Sequence, residues 1–302
     1  MALPLVSSRI AVQGEPPYEI ILPATPPRLI ALWHLASLDA PTVSVVWTLA
    51  FAWAAGVSLD PWIPLLIACG TWTVYVGDRL FDARHAFRSG DLALLRERHY
   101  FHWHHRRSLI PLAVFTAAVS AALVIRLMPP SVREHDSVIA AAALAYFSGV
   151  HSRSSFPAWL RRIASKEFLV GLLFTVGCAA PTLTCVRRGD SRWWIVLACG
   201  IFFATLAWLN CAAIERWEAG VQSSTIQMPA ALICIGGFAS ALALSFAHAR
   251  TAALICAGIA SALLLLLLDR KRHGLAPLTL RALADLVLLI PAFLLAFGAH
   301  LQ

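Results

Sequence analysis

The sequence predicts an all-α, polytopic membrane protein with about nine transmembrane helices. Three observations carry that expectation. The composition is 59% hydrophobic and 13% charged, with mean hydropathy +0.73, whereas an ordinary soluble domain is about 25% charged. Apolar runs close to the roughly 20 residues needed to cross a bilayer as a helix recur along the chain. The basic residues gather in alternate connections between those runs, as topology in a membrane requires.

Taken in order, residues 1–28 are Pro-rich and mixed in character, with no basic start leading into an apolar core. They read as a loosely ordered cytoplasmic tail rather than a signal peptide. The rest, 29–302, reads as a single transmembrane helical domain. Its first piece, Leu29 to Leu38, has the apolar pattern of a short amphipathic helix lying in the interface. Spans are then expected near 41–57, 61–80, 109–127, 137–151, 167–186, 193–214, 229–248, 252–268 and 281–300. The fourth is the shortest and sets the parity of everything after it. With nine spans, one side holds Arg126, Arg133, Arg187, Arg188, Arg192 and Arg250, and the tail side holds the other eighteen of the twenty-four Lys and Arg. Because cytoplasmic loops carry excess Lys and Arg, the tail is expected in the cytoplasm and the C-terminus on the opposite side of a plasma or inner membrane. The formal net charge of +8 therefore points to topology and anionic headgroups, not to nucleic acid. The seven cysteines lie in or beside apolar segments, no pair with CxxC spacing, and read as small buried hydrophobes.

The chemistry concentrates in two places. The first is Val74 to Arg107, where an apolar run turns abruptly into charge. Asp78 and Asp82 sit four residues apart, one turn along the same helix face. Two like charges at a span end need a cation, and Mg²⁺ suits them: it takes one or two carboxylates, keeps waters and accepts phosphate oxygens. Arg79 and Arg84 are the alternative partners. The second place is the end of the sixth span, LNCAAIERWEAG, with Asn210, Glu215 and Glu218. Four spans separate the two clusters, so both should emerge on the cytoplasmic side, where they could enclose a metal–diphosphate site. Arg216 is the bland partner there. Asp39 and Asp285, at the entries of the first and last spans, read as helix N-terminal carboxylates. The glycines Gly171, Gly177, Gly236 and Gly237 read as helix-packing positions.

On these residues the chain resembles the UbiA superfamily of intramembrane prenyltransferases. That family has nine transmembrane helices and acidic motifs at the cytoplasmic ends of the second and sixth. Its first motif has the form NDxxDxxxD. The corresponding frame here is VYVGDRLFD, in which Asp78 and Asp82 match the last two acids, and Val74 and Tyr75 stand where Asn and Asp are usual. The second motif is matched by Asn210 and Glu218 followed by Ala219 and Gly220, with Ile214 at a frequent acid position and Glu215 next to it. LeuAspAlaProThr at 38–42 is similar to the family's Asp-x-Pro entry, and Tyr146 with the basic connection to Lys166 is also similar.

The resemblance implies transfer of a prenyl group from a prenyl diphosphate to an acceptor, aromatic or lipid. It implies Asp78, Asp82, Asn210, Glu215 and Glu218 as Mg²⁺ ligands. It implies Arg79, Arg84, Arg88, Lys166 and Tyr146 as substrate-binding residues, and membrane lipids as the surroundings. Two other classes stay open: a non-catalytic lipid-binding relative or small transporter, and a membrane metal oxygenase built on His99, His102, His104 and His105 with His151. The bland reading of that histidine run is a basic, aromatic interfacial loop.

Overall fold

A computed structural model describes residues 9–10, 18–19, 28–90, 95–134, 136–138, 141, 166–219 and 226–298. The fourth expected span, Tyr146 and His151 fall outside the described residues or at their margin. Apart from one pair of two-residue antiparallel strands, β1 (Arg9–Ile10) and β2 (Tyr18–Glu19), the described elements are helical. Among the described residues, six helical segments are long and apolar enough to cross a membrane, and a bent pair at the start raises that to seven.

The bent pair is α1 (Arg28–Leu35) and α2 (Asp39–Ala55), which meet at 89°. The corner is made by Ser37, a non-glycine residue at φ 58°, a conformation that costs free energy unless neighbours hold it. As expected for an interfacial helix, α1 has two faces. Leu29 and Leu32 are exposed, while Ala31 and Leu35 pack with Leu278. Helix α2 carries Pro41 in its first turn, where the missing N–H is harmless. It ends at Gly56, whose left-handed φ of 65° lets its N–H reach back to Trp53 O.

Helix α3 (Trp62–Ser89) is longer than its apolar run. At 1.5 Å per residue it spans about 42 Å against a hydrocarbon core of about 30 Å. The charged stretch between the expected spans 61–80 and 109–127 is thus mostly helix where it is described: three further turns of α3, a stop at Gly90 with φ 73°, then α4 (Glu97–His104). The reason is packing. Ala83 and Ala86 are buried with Leu95, and Phe87 stacks on Trp103 with ring centroids 5.0 Å apart. These contacts give the polar extension an apolar seam.

The remaining helices are α5 (Arg106–Leu127), α6 (Lys166–Cys185), α7 (Ser191–Glu218), α8 (Gln227–Leu244), α9 (Ala249–Lys271), α10 (Pro277–Leu286) and α11 (Pro291–Gly298). The Arg-rich 187–192 group, which runs against the charge rule, is partly neutralised. Asp190 caps α7 through the Arg192 N–H at 2.9 Å and pairs with its guanidinium at 2.7 Å. Those bonds pull the Asp190 carboxyl down to about 2.

The core lies among α2, α7 and α9. Trp47 stacks on Phe203 with centroids 3.8 Å apart, and Phe51, Leu206, Leu254 and Leu265 surround them, all fully buried. The last apolar segment is not one straight helix. Its axis breaks in a 3-10 turn, Val287–Leu289, just ahead of Pro291, which cannot donate to the preceding turn. Freed carbonyls inside a membrane need partners. Trp47 Nε1 donates to Leu288 O at 2.9 Å and Ser261 Oγ to Val287 O at 2.7 Å. Outward faces stay apolar: no residue of α5 is buried, and Met228, Leu232, Ile235 and Phe238 of α8 are exposed.

Candidate functional site

The polar side chains of six helices converge near one end of the bundle. They start from the Ser37 corner. Arg79, on the inward face of α3, donates to Ser37 Oγ at 2.7 Å and to His34 O at 3.2 Å. His102 of α4 contacts Ser37 Oγ through Nε2 at 2.9 Å and Arg98 O through Nδ1 at 2.7 Å. A carbonyl only accepts, so Nδ1 bears the proton and Nε2 accepts from the serine hydroxyl. The direction of the chain is fixed: Arg79 donates to Ser37, Ser37 to His102, and His102 to the Arg98 carbonyl. Two charge-assisted or neutral bonds thereby hold the strained Ser37 backbone.

Beyond the corner lies an ionic group. His34 Nδ1 stands 2.6 Å from Asp39 Oδ2 and 3.4 Å from Asp285 Oδ2, and Arg79 stands 3.6 Å from the same Asp39 oxygen. Asn210 Nδ2 donates to Asp285 Oδ1 at 3.2 Å. His34, Asp39, Arg79 and Asn210 are all buried. Next to it, Glu218 at the end of α7 is ringed by three arginines: Arg281 of α10 in a close hydrogen bond, Arg98 of α4 at 3.2 Å and Arg96 at 3.6 Å. At the other edge of α4, His99 takes the Arg96 N–H on Nδ1 at 3.0 Å and turns Nε2 toward Asp82 Oδ2 at 3.8 Å. A further acid, Asp269 of α9, ties Trp217 at 2.8 Å to Arg272 at 2.6 Å.

The expected residues divide accordingly. Arg79, Asn210 and Glu218 are in the convergence. Asp82 reaches its rim, and Asp78 is half-buried one turn earlier on α3. Arg84 and Arg88 are exposed on α3, because Arg79 alone occupies the face that α1 and α2 cover. Glu215 is exposed and its neighbour Ile214 buried, so the α7 face turned inward carries Asn210 and Glu218 only. Lys166 heads α6. Asp39 and Asp285 are more than N-terminal carboxylates. Asp285 lies near the C-terminal end of α10, and both acids face His34. His34, Ser37, Arg98 and Arg281 were not singled out by the motifs, and His102 was weighed only as a metal ligand of the histidine run. The signal for them was the default that ionisable groups beside apolar spans are functional.

For Mg²⁺, the set Asp78, Asp82, Asn210 and Glu218 does not close around one ion, since Asn210 is turned to Asp285 and Glu218 to its arginines. The Asp78–Asp82 pair is the part whose chemistry suits Mg²⁺, which completes its shell with water and phosphate oxygens. The histidine run is not a ligand cluster among the described residues. His99 and His102 turn inward into hydrogen bonds, whereas His104 and His105 are exposed.

Burial, with the arginines nearby, pushes the His99 imidazole down to about 3, and burial pushes His102 down to about 4. Both are therefore neutral at pH 7, in agreement with the bond directions above. Unfolded histidine titrates near about 6.5, so the unfolded chain takes up protons first as pH falls. Stability is full above about pH 6.5 and declines on acidification toward the folded values. The thermal midpoint in detergent is expected to fall between pH 6.5 and 5, and the His99→Gln/His102→Gln double variant to flatten that slope.

Comparison with known proteins found no matching family model, no similar curated protein and no similar solved structure.

Proposed function

We propose that the chain is an integral-membrane prenyltransferase, moving a prenyl group from a prenyl diphosphate to an aromatic or lipid acceptor. The proposal includes the nine-span bundle with the N-terminus cytoplasmic and the C-terminus opposite. The observation that carries it is the position of α4. This short helix touches Asp82 through His99 on one edge and Glu218 through Arg98 on the other, so the two acidic helix ends flank one place.

In this reading Asp78 and Asp82 would hold Mg²⁺, which supplies charge stabilisation for the leaving diphosphate. Arginine forks match phosphate oxygens in pairs, and Arg98 and Arg281 bind the diphosphate while Glu218 keeps them aligned. The allylic C–O bond breaks with its electron pair going to pyrophosphate. The acceptor supplies the pair for the new bond and gives up a proton. Donors fixed before reaction lower the barrier because they need no reorganisation as charge develops.

A second reading, a lipid-binding relative or small transporter without catalysis, is favoured by one observation: Val74, at the motif's Asn position, is exposed on α3, and Tyr75 stands in place of the motif's first acid. Thermal unfolding with geranylgeranyl diphosphate separates the two. A ligand at about 100 times its dissociation constant stabilises by about 2.7 kcal/mol. A shift that needs Mg²⁺ and disappears in Asp78→Ala or Asp82→Ala is the expected result. A shift indifferent to both would leave the transferase reading without support.

A further inference from the structure

Three ligand-type atoms from distant parts of the chain meet at His34, Asp39 and Asp285, all within 4.8 Å of one another. The sites are brought together by α1, the start of α2 and the end of α10. His34 is fully buried; its Nε2 has no hydrogen-bond partner, and its Nδ1, though 2.6 Å from Asp39 Oδ2, is not aligned on that one oxygen. Its Nδ1 is aimed between the two carboxylates instead. Beside it the buried Asn210 fixes Asp285 through Nδ2, and its own Oδ1 has no hydrogen-bond partner. Unmet buried polar atoms cost free energy, and a cation between the two carboxylates would take the Nδ1 lone pair.

We propose that His34, Asp39 and Asp285 form a binding site for one divalent transition-metal ion, with Asn210 holding Asp285 in place. One imidazole nitrogen and two carboxylate oxygens are donors that manganese, iron(II) and zinc accept, whereas Mg²⁺ prefers oxygen alone. The site is thus distinct from the Asp78–Asp82 pair. Ligands about 2.1 Å from a tetrahedral ion lie about 3.4 Å apart. The His34–Asp285 separation of 3.4 Å already meets this, and the 2.6 Å contact to Asp39 lengthens on binding. Arg79 offsets one of the two negative charges at 3.6 Å, which leaves one for the ion. An ion here ties the first helices of the chain to one of the last, so its effect is on stability as well as on any chemistry nearby.

The probe is Mn²⁺, because the free cysteines would compete for zinc. Detergent-purified protein is stripped with a chelator and titrated with Mn²⁺. Free Mn²⁺ is followed by electron paramagnetic resonance, and unfolding is followed by heat. With excess Mg²⁺ present to occupy the Asp78–Asp82 pair, we expect one Mn²⁺ per chain and a raised thermal midpoint without any diphosphate. His34→Gln and Asp285→Asn should each weaken binding by about 100-fold or more, beyond the effect of losing an outer-shell partner. Asp285→Asn keeps the shape of the site and serves if His34→Gln does not fold. The proposal is overturned if the folded chain takes up no Mn²⁺, which would leave His34 as a hydrogen-bond partner of the two acids. It is equally overturned if both variants that fold bind Mn²⁺ undiminished.

Discussion

Glu218→Ala is expected to destabilise the folded chain by about 3 kcal/mol, the low end of what breaking a buried ion pair costs. The low end applies because the Glu218 side chain keeps 25% of its exposure. The loss comes from the arginines left behind. Arg98 and Arg281 are 15% and 22% exposed and would face each other without the carboxylate between them. Glu218→Gln should fall in between, since its amide oxygen still accepts from one guanidinium but carries no charge. The diagnostic is the second-site change. Arg281→Met alone should be mildly destabilising, and Glu218→Ala/Arg281→Met should be more stable than Glu218→Ala. Double-mutant coupling of this sign is the signature of a shared charge group. Thermal or denaturant unfolding in detergent reads all four chains. If Glu218→Ala unfolds as the unaltered chain does, the three arginines do not depend on it. Asp78→Ala, at a half-buried position on α3, is expected to move the midpoint far less.

Apolar spacing announced most of the bundle. Helices lie along most of the expected segments among the described residues, because a run of about 20 apolar residues has few other ways to satisfy its backbone in lipid. Six or seven of those described, rather than nine, are long and apolar enough to cross a membrane. What spacing could not announce was the continuation of α3 to Ser89. Hydropathy ends at Gly77, and the seam that carries the helix onward, Ala83 and Ala86 against Leu95, is made of small residues with a weak signal. The corner at Ser37 was equally silent, since its φ of 58° depends on Arg79 and His102, 42 and 65 residues away. The acidic motifs led to Asn210 and Glu218, which do face inward. They missed His34, Asp39 and Asp285 as a group, because convergence of residues so far apart is a property of the fold. The glycines divide in the same way. A Cβ on Gly177 or Gly236 would meet nothing within 4 Å, whereas Gly171 and Gly237 sit at close helix contacts.

Gly171→Ala is expected to be the most damaging of the single glycine changes, and for a reason that separates it from its neighbours. A Cβ at Gly171 would lie 2.9 Å from Trp208 N and 3.3 Å from Ala204 O. Both are backbone atoms of α7, so no side-chain rotation relieves the clash and α6 must move away along its whole contact. Overpacking of this kind costs about 1–3 kcal/mol, occasionally more, and small residues at such crossings are what let membrane helices approach. At Gly237 and Gly258 the obstacle is softer. A Cβ at Gly237 would stand 2.7 Å from Phe202 Cε2, and one at Gly258 would also strike the Phe202 ring. That single ring is wedged between α8 and α9, and a side chain can be removed. Gly258→Ala should therefore destabilise the chain, and Phe202→Leu in the same chain should recover much of the loss. Phe202→Leu should recover nothing in Gly171→Ala. Unfolding midpoints of these five chains decide the matter. Rescue of Gly171→Ala by Phe202→Leu would mean that α6 and α7 are not in backbone contact at Gly171, and a harmless Gly171→Ala would mean the same.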